Sequence, residues 1–338
     1  MSPQAATAQP TKILFAPKQD AGVTEIAKSL TPPGFELIMA EYGTPEFVNA
    51  AAEAEYFMGM ARNMGGEFFR SAPKLKLVQL LSAGYDRVDV ESARKAKVPV
   101  ANNGGANAIA VAEHTILLML AVLKQLVKFH QDVVAGRWRP PASSEAPVYE
   151  LSGRTVGIVG LGNIGKKVAR RARGFDARVQ YYDVLRLTEA EEDALGVRFV
   201  LLAELLRTSD IVTLHVPLTD VTRGMIGARE LALMKKDAIL VNTCRGPVVD
   251  EPALYAALKG GKIGGAGLDV LVDEPPAKDN PLFTLPNVTL TPHSAGPTWE
   301  NWVARFRNGF DNIERVAAGR KPLWVIPELR AAAAGERG

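Results

Sequence analysis

Arg154-Thr-Val-Gly-Ile-Val159 leads directly into Gly160-Leu-Gly162-Asn-Ile-Gly165, and this stretch decides the fold. The apolar run at its start predicts a buried β-strand, and residues 164–173 predict the helix that follows the turn. A strand, a glycine-rich turn and a helix in this order are typical of a unit that binds an adenine dinucleotide. The glycine spacing alone is a weak signal, but the flanking strand and helix make it specific.

Each glycine of this turn has its own physical role. Gly160 permits the tight turn off the strand, Gly162 lets the backbone approach a pyrophosphate, and Gly165 lets the helix pack close to the sheet. The first amides of the helix, at Asn163 and Ile164, face the phosphates. The turn therefore predicts a dinucleotide site before any reaction has been proposed.

An acidic residue ends the next strand-like run, Arg178-Val-Gln-Tyr-Tyr-Asp183, 18 residues beyond Gly165. A carboxylate at this place accepts hydrogen bonds from both ribose hydroxyls and repels a 2′-phosphate. Asp183 therefore favours NAD over NADP as the cofactor. Arg186 follows closely and offers a positive charge to such a phosphate, so the sequence leaves the strictness of this preference open.

The composition describes a globular protein of about two domains. Of its 338 residues 47% are hydrophobic and 23% are charged, and the formal net charge is +3. No run of Lys and Arg resembles a nucleic-acid-binding patch, whereas a slightly basic balance suits a small anionic substrate. Four scattered histidines predict no metal site. The single cysteine, Cys244, excludes an internal disulfide framework and indicates a reducing compartment, so we expect a cytoplasmic location.

No segment predicts a membrane span or a targeting signal. The most apolar run, residues 116–123, is too short to cross a bilayer and predicts a buried helix. Residues 1–10 contain neither a basic start nor an apolar segment, so we do not expect a signal peptide. We expect this segment and residues 331–338 to be loose tails.

Short apolar runs alternate with helix-length segments along almost the whole chain. This alternation predicts parallel sheets covered by helices on both faces, and two series of runs predict two doubly wound α/β domains. Residues 108–131 predict one helix that crosses between the series, and residues 297–318 predict an amphipathic helix after the second. The predicted strands are residues 12–16, 35–39, 55–60, 75–81 and 98–102, followed by 155–159, 178–182, 197–200, 210–215, 238–242, 265–270 and 288–293.

Polar side chains with complementary chemistry lie at or close to the carboxyl ends of predicted strands of the second series. They are Arg245, Asp269, Glu274 and His293. Ligands of an open α/β sheet bind at the carboxyl ends of its strands. A guanidinium holds a carboxylate and polarises a carbonyl, a histidine donates the proton as that carbonyl becomes an alcohol, and a carboxylate favours the protonated histidine. These are the groups that hydride transfer to a 2-oxo acid requires from a protein.

Several motifs together resemble those of the D-isomer-specific 2-hydroxyacid dehydrogenase family, over about residues 12–328. The resemblance implies a Rossmann NAD-binding domain, residues 108–298, inserted in a flavodoxin-like substrate domain of residues 1–107 and 299–338. It implies interconversion of a small D-2-hydroxy acid and its 2-oxo acid with NAD. The motifs are Gly84-Tyr-Asp-Arg-Val-Asp89, Val111-Ala-Glu-His114, residues 160–165, His215-Val-Pro-Leu-Thr219, residues 242–250, residues 267–275 and Thr291-Pro-His-Ser-Ala295.

The resemblance also assigns roles to single residues. It implies that Arg245 binds the carboxylate and carbonyl of the substrate, that His293 and Glu274 are a paired acid and base, and that Asp269 holds the nicotinamide carboxamide. The other contacts that it implies are the backbone of Ser82, Ala83 and Gly84 for the substrate carboxylate, and His215, Val216, Pro217, Thr222, Thr243, Cys244 and Ala295 for the cofactor.

One segment and one single residue depart from the pattern of the family. Residues 294–298, Ser-Ala-Gly-Pro-Thr, stand where relatives carry an Ile-Gly-Gly or Ile-Ala-Ser type of sequence, and Leu271 stands where an aromatic residue is common. The sequence therefore does not predict the pocket wall near the nicotinamide or the side chain of the substrate. We interpret His114 and Glu113 as packing and hinge residues and Cys244 as a small buried apolar residue rather than a redox group.

Two other functions stay open on the sequence alone. Phosphite dehydrogenases of the same family keep an arginine, a glutamate and a histidine, and so do NAD(H)-sensing corepressors of the C-terminal-binding-protein type. Formate dehydrogenases pair the histidine with glutamine, whereas Glu274 occupies that place here. Relatives are usually homodimers, and we expect the apolar residues 108–126 to supply such an interface.

Overall fold

A computed structural model describes residues 9–62, 64–138 and 147–330. The predicted tail at residues 331–338 and most of the one at residues 1–10 lie outside the described residues. The chain divides into two compact units. One contains the residues up to Asn107 together with those from Pro297 onward, and the other is Ala108–Gly296.

The first unit begins with five strands that alternate with four helices. All five strands are parallel, in the order β2-β1-β3-β4-β5. Asp20, Thr44 and Asp89 cap three of the helices, since each side chain accepts hydrogen bonds from the first amides. The bounds are β1 Thr11–Ala16, α1 Ala21–Leu30, β2 Phe35–Met39, α2 Pro45–Glu53, β3 Tyr56–Gly59, α3 Gly66–Ser71, β4 Leu77–Leu80, α4 Val90–Lys95 and β5 Val100–Ala101.

The second unit contains a seven-stranded parallel sheet in the order β12-β11-β10-β9-β6-β7-β8. The strand order reverses between β6 and β9, and a crevice at such a point is where doubly wound sheets bind ligands. The bounds are α5 Ala108–Leu123, α6 Leu126–Val134, β6 Thr155–Val159, α7 Asn163–Gly174, β7 Arg178–Tyr182, α8 Glu189–Leu195, β8 Arg198–Phe199, α9 Leu202–Thr208, β9 Ile211–Leu214, α10 Ala228–Leu233, β10 Ile239–Asn242, α11 Glu251–Lys259, β11 Gly265–Leu268 and β12 Val288–Leu290.

The last helix, α12 (Trp299–Ala317), completes the first unit. Phe306, Phe310 and Ile313 on this helix are buried against the five-stranded sheet. Arg305 on the same helix is only 3% exposed, and its Nε has no hydrogen-bond partner among the described residues. Its guanidinium lies 5.0 Å from the ring centroid of Trp302, and burial lowers the pKa of Arg305 to about 10.

The predicted α/β class is confirmed, because both sheets are parallel and every predicted strand is present within a few residues of its predicted bounds. The prediction of one helix over residues 108–131 is wrong. The helix breaks at Gln125, which has a φ of +49° and whose Nε2 donates to the carbonyl of Pro147 at 2.9 Å. The predicted strand 288–293 is also too long, since β12 ends at Leu290 and His293 lies in a turn.

Within the three described ranges, no single helix is long and apolar enough to cross a bilayer. α5 and α6 reach that length and composition only as a pair, and the pair is bent by 61°. Most of α5 is buried within the second unit, as expected for a core helix.

Candidate active site

The glycine-rich turn after β6 leaves its backbone accessible. Gly160 has a φ of +94°, and a Cβ there would lie 2.7 Å from the carbonyl oxygen of His215. A Cβ on Gly165 would lie 2.2 Å from the carbonyl oxygen of Gly160, so α7 approaches the turn too closely for any side chain. Within the part of the chain that the structure describes, a Cβ on Gly162 would meet nothing within 4 Å, and no side chain caps the first amides of α7. These open amides fit a dinucleotide pyrophosphate.

Asp183 is fixed against this turn. One carboxylate oxygen accepts from the amide of Leu161 at 2.7 Å, and the other accepts from the amide of Leu185 at 3.1 Å. The first bond joins the end of β7 to the glycine-rich turn, and the second stabilises the bend directly after Asp183. The carboxylate therefore lies where the adenosine ribose of a dinucleotide is expected.

The loop after β9 forms the other side of this crevice. The Nε2 of His215 lies 3.0 Å from the hydroxyl of Thr213, whereas its buried Nδ1 has no hydrogen-bond partner among the described residues. Burial lowers the pKa of His215 to about 3, so the ring is neutral. Thr222 donates its hydroxyl to the carbonyl of Pro217 at 2.6 Å and accepts from the amide of Thr219. Thr222 thus shapes the loop that carries Val216 and Pro217.

Thr243, Cys244 and Arg245 follow β10. The hydroxyl of Thr243 lies 3.0 Å from that of Thr115, and the thiol of Cys244 donates to the side-chain oxygen of Asn242 at 3.1 Å. Burial raises the pKa of Cys244 to about 11, so its thiol is protonated at neutral pH. Nη1 of Arg245 donates to the carbonyl of Cys244 at 2.7 Å. The next residue, Gly246, lies against the backbone of Leu271 and Val272, in the loop that also carries Glu274.

The approach of the chain after β10 to this loop depends on Gly246. A Cβ at this position would lie 1.9 Å from the carbonyl oxygen of Leu271. Only a glycine allows the chain after β10 to touch the loop that carries Glu274. The charge of Arg245 accordingly contributes to the electrostatic surroundings of the Glu274 carboxylate.

His293 and Glu274 form a hydrogen-bonded pair. Nδ1 of His293 lies 2.8 Å from one oxygen of Glu274, and the other oxygen accepts from the amide of Leu271 at 3.3 Å. The side chains are 43% and 27% exposed, so a ligand has access to the ring. Burial acts to raise the pKa of Glu274, but the hydrogen bond and charge of His293 outweigh it and lower the pKa of that carboxyl below 4.5. Glu274 is therefore ionised at neutral pH and stabilises positive charge on the ring.

The turn that presents His293 is held by Asp269. His293 has a φ of +53°, which is uncommon for a residue with a side chain. Its amide donates to the carbonyl of Asp269 at 2.7 Å, and the carboxylate of Asp269 accepts from the amides of Ser294 and Ala295, each at 2.9 Å. The hydroxyl of Thr291 donates to the same carboxylate at 2.6 Å. Asp269 is 1% exposed, and both of its oxygens are engaged by the chain around His293.

The structure gives this carboxylate a partner that the sequence did not indicate. Nε2 of His114, on α5, lies 2.9 Å from the hydroxyl of Thr291 and 3.5 Å from the carboxylate of Asp269. The sequence predicts a packing or hinge residue at His114, and the Val-Ala-Glu-His114 motif is the one signal that singles this residue out. Glu113 instead forms an ion pair with Arg171 at 2.8 Å on the surface of the second unit.

The predicted substrate loop belongs to the first unit and follows β4. The hydroxyl of Ser82 donates to the carbonyl of Gly84 at 2.8 Å, and the carbonyl of Ser82 accepts from the amide of Asn103 at 3.1 Å. The carbonyl of Ala83 accepts from the side chain of Asn102 at 3.4 Å. These bonds fix the loop at the carboxyl edge of the five-stranded sheet.

Comparison with known proteins places this geometry in a family. Residues 116–295 match the model of the D-isomer specific 2-hydroxyacid dehydrogenase, NAD binding domain. The chain is 46% identical over 235 residues to a glyoxylate reductase of Korarchaeum cryptofilum, covering 69% of this chain and 70% of the relative. The chain therefore belongs to the D-isomer-specific 2-hydroxyacid dehydrogenase family, as predicted.

Two solved structures support the same family assignment. A glyoxylate reductase from Paecilomyes thermophila superposes with a TM-score of 0.81 at 28% identity, covering 95% of this chain and 99% of that one. A D-lactate dehydrogenase from Aquifex aeolicus, complexed with NAD and lactic acid, gives a TM-score of 0.79 at 29% identity, covering 91% and 96%. The chain is thus a D-2-hydroxyacid dehydrogenase that binds NAD and interconverts 2-hydroxy acids and 2-oxo acids.

Proposed function

We propose that this enzyme uses NADH to reduce a small 2-oxo acid to the corresponding 2-hydroxy acid, which has the D configuration where C2 is a stereocentre, and that glyoxylate is the first candidate substrate. The observation that carries the proposal is the 2.8 Å bond between His293 and Glu274, next to the segment that bears Arg245. The glyoxylate reductase of Korarchaeum cryptofilum, 46% identical, supports the choice of substrate.

In this proposal Arg245 pairs with the carboxylate of the substrate and polarises its carbonyl, since a guanidinium offers several donors in one plane. The nicotinamide supplies the hydride. Nε2 of His293 donates a proton to the carbonyl oxygen as the alcohol forms, and Glu274, bonded to Nδ1, fixes the ring and stabilises its charged form.

The same proposal includes the residues that contact the cofactor. The pyrophosphate binds to the turn of Gly160, Gly162 and Gly165 and to the first amides of α7. Asp183 accepts hydrogen bonds from the ribose hydroxyls. His215, Val216 and Pro217 line the opposite wall, together with Thr243 and Cys244. For Asp269 we propose that it orients the His293 turn, because its carboxylate is already bonded to the chain there.

The decisive experiment compares wild type with His293→Ala. NADH oxidation is measured with glyoxylate, hydroxypyruvate and pyruvate, and in parallel with NADPH. The variant is expected to lose roughly 10²–10⁴ in turnover, the usual contribution of a general acid, while its Kd for NADH changes less than twofold. Unchanged turnover would refute the role of His293. A wild type that binds NADH but reduces no 2-oxo acid and instead oxidises phosphite, or binds peptides, would favour the alternatives.

We also propose that the enzyme is a cytoplasmic homodimer. Large apolar side chains are exposed on α5 and α6, and they are Ile109, Leu117, Leu126, Val127, Val133 and Val134. Exposed apolar residues concentrated in one region typically mark a protein–protein interface. Light scattering should give twice the chain mass for the wild type and a single chain mass for Val134→Glu combined with Leu126→Glu. A monomeric wild type at micromolar concentration would contradict the dimer.

A further inference from the structure

Arg186 is the only cation in residues 183–188, the segment that follows the ribose-binding acid. Two residues between them, Val184 and Leu185, are highly exposed and carry no charge. Any electrostatic attraction of this segment for a 2′-phosphate must therefore come from Arg186. The position of its guanidinium decides whether that attraction is exerted.

The guanidinium of Arg186 is bonded to Glu192. Nε of Arg186 donates to a carboxylate oxygen of Glu192 at 3.0 Å, and the guanidinium carbon lies 5.3 Å from the ring centroid of Phe199. The same oxygen of Glu192 accepts from the phenol of buried Tyr181 at 3.0 Å, and that phenol accepts from the amide of Leu187 at 2.9 Å. Arg186 is thus held by a carboxylate that is itself anchored.

The anchor is rigid because α8 is well capped. Thr188 and Glu191 form a reciprocal capping box at its start, with the amide of Thr188 donating to Glu191 at 2.9 Å. The side chain of Glu192, in the first turn, is only 11% exposed. Its hydrogen bond and charge raise the pKa of Arg186, while Arg186 lowers the pKa of Glu192. Both groups stay charged at neutral pH.

We propose that Glu192 is a specificity-determining residue, which selects NADH over NADPH because its ion pair with Arg186 competes with any bond from this cation to a ribose 2′-phosphate. Two effects then act together against NADPH: Asp183 repels its 2′-phosphate, and Arg186 is already paired with Glu192. The inference rests on the proposed function only in that the glycine-rich turn and Asp183 bind the adenosine half of NADH.

The experiment measures the Kd of NADH and of NADPH by fluorescence titration, independently of turnover. Glu192→Gln keeps the shape of the side chain and removes its charge, so Arg186 is released. The Kd for NADPH is expected to fall roughly 3- to 10-fold, the size of one partly exposed charge-assisted contact, while the Kd for NADH changes less than twofold. In the double variant Glu192→Gln with Arg186→Met this gain should disappear.

Several outcomes would overturn the inference. They are an unchanged ratio of the two Kd values in Glu192→Gln, an equal weakening of both nucleotides, or a gain that persists without Arg186. If Glu192→Gln fails to fold, Tyr181→Phe removes one partner of the same carboxylate and should shift the ratio in the same direction by a smaller factor. A wild type that binds no NADH would refute the proposed function itself, whereas normal NADH binding with an unchanged ratio would refute the role of Glu192 alone.

Discussion

Replacing Asp269 by Asn tests whether this residue orients the turn that carries His293 or binds the cofactor. Asn keeps the size of the side chain but turns one acceptor oxygen into a donor, so the amide of either Ser294 or Ala295 loses its acceptor. Losing a hydrogen bond to a charged group at a site that is 1% exposed costs about 1.5–3 kcal/mol. For a domain of this size, that loss lowers the Tm by about 3–12 °C.

The same change should disturb His293 more than cofactor binding. The φ of +53° at His293 carries a conformational cost of about 1–2 kcal/mol, and the bonds to Asp269 offset that cost. With the turn loosened, kcat at saturating NADH and glyoxylate should fall roughly 10- to 100-fold, which corresponds to about 1.4–2.7 kcal/mol. The Kd for NADH should stay within twofold of wild type.

A matched control separates this effect from a general loss of stability. Asp210 accepts from the amide of Thr155 and from Lys235, both at 2.8 Å, away from His293. Asp210→Asn should lower the Tm but leave kcat unchanged. If Asp269→Asn instead raises the Kd for NADH tenfold while kcat at saturation persists, Asp269 is a ligand of the cofactor, and our reasoning from its bonds is wrong.

Two further predictions follow from buried or paired charges. Glu274→Gln should lower kcat roughly 10- to 100-fold, since positive charge on His293 loses its partner. Because the pKa of Glu274 is lowered below 4.5 in the folded state, its stabilisation is fully present above that pH and is lost as the pH falls through the lower folded-state pKa. Urea unfolding should therefore show a deficit for Glu274→Gln at pH 7 that shrinks towards pH 3. Arg305→Met should raise the free energy of unfolding by about 1–2 kcal/mol, because it removes a buried cation whose Nε has no partner among the described residues.

Each of these predictions has a control or a contrary outcome. A stability deficit of Glu274→Gln that is the same at pH 7 and pH 3 would contradict the lowered pKa of the Glu274 carboxyl. Arg307 lies on the same helix and is exposed, so Arg307→Met should change stability by less than 0.5 kcal/mol, as is typical of surface sites. A loss of stability in Arg305→Met would mean that its contact with Trp302 outweighs the cost of burying the charge.

The sequence predicted the architecture well because the strands carry two independent signals. Apolar runs such as residues 155–159 are bounded by glycine, and the segments between them have the length of helices, so strand number and direction followed. The break in residues 108–131 had no such signal. Neither Lys124 nor Gln125 disfavours a helix strongly, and the left-handed conformation of Gln125 coincides with a bond to Pro147, which is distant in sequence.

In the candidate site, too, contacts between residues that are distant in sequence were not predictable. The pairing of His293 with Glu274 was predicted from the resemblance, and the structure places the two side chains within hydrogen-bonding distance. The sequence did not predict that the amides of Ser294 and Ala295 are the main partners of Asp269. Backbone amides are common to nearly all residue types, so residue type does not identify them as donors. The contact of His114 with Thr291 joins residues 177 positions apart, and only the folded chain reveals it.

The missing side chain at Gly246 has a consequence for anyone who alters this enzyme. A methyl group there would collide with the carbonyl of Leu271 and push apart the two chain segments that carry the guanidinium and the acid. Libraries that randomise only the reacting groups would overlook this position. Gly246 has no side chain, yet it sets the spacing of the charged groups around it. A redesign should therefore leave this position unchanged.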